Sequence, residues 1–278
     1  MALSFRTKFI AVASALLALF IAFGADAVWS GASNTLEREL TRLAVPPHDV
    51  QISDVELPAP VARFMARSLP PGQKRIKSAR LQQTGEFFVN GAWHPLEARQ
   101  VFTASPPAFV WDARIRMAPL VSVYVRDAYV AGGASMRARM MALYPLVNQS
   151  NEPELNAGAL MRYLGEAAWL PTRLMPGDGL SWKAIDDRQA EATLTDGQTS
   201  ASLRFTIDEA GSITEIYAAA RFREVNGQYV PTPWRVRALG QEVKGGVRLM
   251  SPAEAEWILP EGPQPYWRGR IVSVEYGY

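Results

Sequence analysis

The chain has 278 residues, 48% hydrophobic and 20% charged, with 29 lysines and arginines against 27 acids and a formal net charge of +2. That balance belongs to a folded globular protein able to bury a full core, and it lacks the basic footprint of a nucleic-acid binder. Cysteine is absent, which excludes a disulfide framework, a thiol nucleophile and a lipidated cysteine.

At the N-terminus, Arg6 and Lys8 precede the uncharged run FIAVASALLALFIAFGA at 9–25, followed by Ala25-Asp26-Ala27. A short cationic region, an apolar stretch and a small-x-small step make a secretory signal peptide. The run also reaches the minimum length for spanning a bilayer, so residues 1–27 read either as a signal or as an anchor. Positive charge before the run sends residue 28 onward across the membrane in both cases. The expectation is an exported, periplasmic protein, soluble after cleavage or held at the inner membrane through residues 9–25. That segment also supplies the expected membrane association.

An N-terminal helical segment is expected over 28–72. SNTLERELTRL (33–43) spaces Leu36, Leu40 and Leu43 as a helical stripe that Pro46-Pro47 stops. VARFMARSL (61–69) forms a second helix between Pro60 and Pro70-Pro71-Gly72. From residue 73 the pattern becomes strands and tight turns, with Asn90-Gly91, Gly132-Gly133, Asp196-Gly197, Asn226-Gly227 and Gly245-Gly246 as punctuation. One helix interrupts this β domain (73–278), from about Pro153 to Leu170, the bounds that capping and periodicity give.

About ten short strands joined mostly by hairpins predict an α+β, mainly β fold. Its core is one large curved antiparallel sheet, an open barrel or half-barrel, with two N-terminal helices and one mid-chain covering helix. Such a shape holds an apolar ligand or is itself a filled core.

The inventory of reactive groups is narrow. His48 and His94 are the only histidines, and no metal-ligand, nucleophile-elbow or dinucleotide motif is present, so no metal and no cofactor are expected. In MRYLGEAAWLP (161–171), Leu160, Tyr163, Leu164, Ala167 and Ala168 share one helical face. Arg162, Glu166 and Trp169 fall on the other side with Leu155, which predicts that the charged pair is at least half buried. Two readings stand: a structural pair with partners on strands, or a site with Arg162 as clamp, Glu166 as acid/base or acceptor, and Tyr163 and Trp169 as walls. On FVWDARIRM (109–117), Trp111 alternates with Asp112 and Arg114, and the polar set either faces solvent or lines a concave site. Trp234 in VPTPW (230–234) either caps the core or makes a ligand platform.

As an ordered set, LPAPVARFMARSLPPGQ, FVWDARIRM, RDAYV, MRYLGEAAWLPT, ATLTDG, VPTPW and PYWRGRIVSVEY resemble a family of uncharacterised bacterial proteins over about 57–277. The resemblance implies relatedness and brings no reaction, cofactor or catalytic residue. A looser similarity, at the level of architecture, is to periplasmic lipoprotein carriers, whose half-barrels hold acyl chains. It implies a small hydrophobic or amphipathic partner on the concave side; the residue patterns above offer Arg162, Tyr163, Glu166, Trp169, Trp111, Asp112, Arg114 and Trp234 as candidate ligand-binding residues. The alternative is a cofactor-independent lyase, isomerase or hydrolase using Glu166, Arg162 or Asp112.

Overall fold

The computed structural model describes residues 5–45 and 57–278, with side chains from Phe23 onward. The proline stop at 46–47 and His48 lie outside the described residues, as do the side chains of most of the 9–25 run.

The sheet is larger than the sequence pattern suggests. Thirteen antiparallel strands form it, and fifteen strands occur among the described residues. Six come as one meander: β1 (Ser78–Val89), β2 (Ala92–Thr103), β3 (Ala108–Ala118), β4 (Val121–Val130), β5 (Gly133–Met140) and β6 (Tyr144–Ser150). The second run is β7 (Leu180–Ala184), β8 (Gln189–Asp196), β9 (Thr199–Ile207), β10 (Ile213–Val225), β11 (Gln228–Ala238), β14 (Ala253–Leu259) and β15 (Gly262–Gly277). A small hairpin, β12 (Gln241–Lys244) with β13 (Val247–Met250), branches off between β11 and β14. Several short strands, such as the five-residue β7, carry too little alternation to register in a sequence pattern.

The two meanders join along one seam, where β1 pairs with β15 and Gly85 faces Gly269. Both must be small there. A Cβ on Gly85 would lie 2.1 Å from the carbonyl oxygen of Arg268. The sheet therefore runs from edge strand β6 through this seam to edge strand β7.

The chain between those two edges forms α3 (Pro153–Glu166) and two 3-10 turns, 167–169 and 171–174. The helix is shorter at its C-terminal end than expected, because the backbone tightens at Ala167 and Pro171 follows within two turns. Leu160, Tyr163, Leu164, Ala167, Ala168 and Trp169 are all buried in the main core. The helix thus fills the concave face. α2 (Ala59–Ser68) begins with Pro60 in its first turn and adds Val61, Phe64 and Met65 to the same core.

The first helix, α1 (Phe5–Leu43), is continuous through residues 25–28 and lies on the opposite, convex face. Among its described side chains, Trp29, Ser33, Glu37 and Leu40 are buried. Their spacing places one stripe of the helix against β2 and β3.

Candidate functional site

Strand pleating decides which candidates can meet. On β3, Phe109, Trp111, Ala113 and Ile115 point to the concave core, whereas Asp112, Arg114 and Arg116 alternate to the convex face. Trp111 and Trp234 therefore meet Arg162, Tyr163 and Glu166 of α3, and Trp169 just after it, on the concave side. Asp112 and Arg114 do not join them, because the one-residue offset puts them beneath α1.

On the concave side one guanidinium serves two carboxylates. Arg162 donates from Nη1 to Asp127 Oδ2 at 2.6 Å and from Nε to Glu166 Oε1 at 2.8 Å. Its guanidinium carbon sits 4.9 Å from the Trp111 ring centre and 5.0 Å from that of Phe109, a placement that adds cation–π attraction. The other Glu166 oxygen accepts from Gln100 Nε2 at 2.7 Å. Gln83 Nε2 donates in turn to Gln100 Oε1 at 2.8 Å, and Trp111 Nε1 donates to Gln83 Oε1 at 2.9 Å. The result is an unbroken chain from Asp127 to Trp111 that ties α3 to β1, β2, β3 and β4.

The arrangement is largely desolvated, with Arg162 and Glu166 side chains only 16% and 17% exposed. Burial raises the carboxyl pKa of Glu166, and its bonds to Arg162 and Gln100 recover only part of that cost. Burial acts to lower the pKa of Arg162, but Glu166 and Asp127 outweigh it and the net direction is up. Both Glu166 oxygens already accept bonds, so a substrate would have to displace Arg162 or Gln100 before this carboxylate could move a proton.

The remaining inner candidates also hold backbone or ring partners. Tyr163 donates its hydroxyl to the Thr103 carbonyl at 2.8 Å, and burial raises its pKa. Trp169 donates to the Met250 carbonyl at 2.9 Å. Trp234 donates to Tyr266 Oη at 2.9 Å while Arg221 stacks on it at 4.7 Å. Gly165 lets these layers approach, since a Cβ there would stand 3.5 Å from Leu203 and 3.6 Å from Trp234.

On the convex face, Asp112 accepts from Trp29 Nε1 at 2.9 Å and from Arg99 at 3.1 Å. Glu37 of α1 is clasped by Arg80 at 3.0 Å and Arg99 at 3.2 Å. Arg126 donates to Ser33 Oγ and to the Trp29 carbonyl, both at 2.8 Å, and stacks on the Trp29 ring at 4.4 Å. Arg114 stays exposed, stacked on Tyr124 at 5.3 Å. An open cleft of about 500 Å³ remains here, bordered by Asp112, Arg114, Trp29 and Tyr124.

Four concave residues escaped the sequence reading: Phe109, Gln83, Gln100 and Asp127. Gln100 and Asp127 carried a usable signal. Each is a polar side chain at an inward position of a strand whose neighbours on that face are apolar, and a buried polar group demands a partner.

No curated protein matches the chain in sequence. Among solved structures, a DUF1329 family protein from Desulfovibrio piger is 9% identical, covering 78% of this chain and 90% of that one, with a TM-score of 0.39. A domain described as an outer membrane lipoprotein-sorting protein, from Vibrio parahaemolyticus, is 7% identical, covers 78% and 90%, and scores 0.41. A LolA superfamily protein from Nitrosomonas europaea is 10% identical, covers 80% and 95%, and scores 0.34. In sequence, residues 55–276 match one family throughout, and the chain belongs to DUF6920, a family of unknown function.

Proposed function

We propose that the protein is an exported half-barrel that binds a hydrophobic or amphipathic ligand on its concave side, with α3 as a displaceable cover. The supporting observation is the position of α3. It is the one helix spanning the interval between the two free edges of the sheet, and it covers a concave face lined by Trp111, Phe109, Leu203, Phe205 and Trp234. A closed site of this kind opens when a ligand selects a minor conformation. In this reading the apolar part of the ligand lies against Trp111, Trp234, Tyr163 and Trp169. Its polar end meets Arg162 and Glu166, the partly exposed charges at the rim. Asp112 and Arg114, on the convex face, take no part.

The absence of cysteine makes a direct test possible. Gly165→Cys with Leu203→Cys, joined by a short bis-methanethiosulfonate cross-linker, ties α3 to β9. A fluorescent sixteen-carbon fatty acid is titrated into the full-length double variant before and after cross-linking, so that uptake by the N-terminal segment is common to both. Saturable binding that disappears on cross-linking is expected. Equal binding in the open and tied forms would remove the concave site.

A further inference from the structure

Leu120 is 91% exposed and sits at φ 62° in the two-residue turn between β3 and β4. That backbone region suits Gly or Asn, and the turns at Asn90-Gly91, Asn226-Gly227 and Gly245-Gly246 follow the rule. A bare leucine in this conformation is unfavourable in water twice over, through its backbone and its hydration. The neighbouring turn repeats the feature. Met141 and Ala142 have φ 55° and 59°, and Leu143 and Tyr144 beside them are 47% and 69% exposed.

Cations flank these apolar tips. Arg116 pairs across the strands with Ser122, and Arg139 with Tyr124, both within a few residues of the turns. Both arginines are exposed, and neither makes an ion pair among the described residues.

The direction of α1 gives this end of the sheet its meaning. Leu40 packs beside Ala108, Val110 and Ala128, whereas Trp29 and Ala25 pack with Tyr124 and Ala142. Followed toward its N-terminus, the helix therefore leaves the sheet past the 141–143 turn. It continues as helix to Phe5, a rise of about 30 Å at 1.5 Å per residue. That stretch contains the uncharged run 9–25, and about 30 Å is the thickness of a bilayer's hydrocarbon core.

We infer that this end of the sheet seats on an anionic lipid surface, the one that α1 enters. Leu120, Leu143 and Tyr144 reach the boundary between headgroups and acyl chains, and Arg116 and Arg139 bind lipid phosphates. The pairing of apolar tips with exposed cations fits a phospholipid surface better than a protein partner, which would have to match both and leave room for the emerging helix. The opposite end of the sheet, with the Ala131-Gly132 tip, faces away from the membrane. This docking surface is independent of any ligand on the concave side.

The full chain is labelled with one environment-sensitive fluorophore at Leu120→Cys, Leu143→Cys or Ala131→Cys and reconstituted into vesicles of phosphatidylethanolamine and phosphatidylglycerol containing brominated lipid. Quenching at 120 and 143, with none at 131, is the expected result. In the Arg116→Glu/Arg139→Glu background the quenching at 120 should be lost. Equal quenching at 120 and 131 would overturn the seating, and quenching unchanged by the charge reversal would overturn the role of the arginines.

Discussion

Arg162 holds two carboxylates, and each partner changes what the others cost. Alone, a buried Glu166 or Asp127 would pay several kcal/mol of desolvation, and truncating a buried pair at one side typically loses roughly 3–5 kcal/mol. The pH response follows from Glu166. Its folded pKa lies above the unfolded carboxylate value of about 4.3. Between the two values the folded state binds more protons than the unfolded one, so this group's contribution is present at low pH and is lost as pH rises through the folded value. Glu166→Gln keeps an acceptor for Arg162 and removes the titration. Urea midpoints of the variant, relative to wild type, should therefore improve as pH is raised from the acid side of that window toward neutrality. A difference between the two proteins that stays constant with pH would show that Glu166 is not the titrating group.

At the scale of elements, the seam between β1 and β15 and the insertion of α3 matter most. The sheet's two meanders meet through Gly85 and Gly269, and a methyl group on Gly85 would collide with backbone that cannot yield. Gly85→Ala should cost about 1–3 kcal/mol, the range for forced overpacking, measured by chemical denaturation. Wild-type stability in this variant would mean that the seam is looser than its geometry. The elements themselves were partly legible in sequence. Hairpin turns built on Asn-Gly and Gly-Gly exposed the antiparallel plan because those residues tolerate positive φ. The turn expected at Gly132-Gly133 centres on Ala131-Gly132, since alanine there carries no such signal. Burial of Arg162 and Glu166 was readable from a helix apolar on almost every side. Their partners were not, because Asp127, Gln100 and Gln83 lie 35 to 83 positions away and only the sheet register brings them together. The face occupied by Asp112 and Arg114 was equally hidden, since alternation separates two faces of a strand without saying which is concave.

The whole molecule is a sheet with α1 on its convex face and α2 and α3 packed into the concave core, and α1 and α3 are held differently. α1 docks on the convex side through Trp29, Ser33 and Glu37 and then leaves past one end. α3 sits on the concave side, tied by the Arg162 network along β1–β4 and by apolar contacts along β9 and β10. A cover for a binding site must open at lower cost than the sheet unfolds. Hydrogen exchange of the full-length protein, with and without a saturating sixteen-carbon fatty acid, measures that cost directly. If α3 covers a ligand site, amides at 157–166 will exchange through a local opening well below the global unfolding free energy, and the ligand will change their rates while β9 and β10 stay protected. Exchange of α3 only together with β9 and β10, at rates the fatty acid leaves untouched, would contradict a displaceable cover and leave the concave face a filled core.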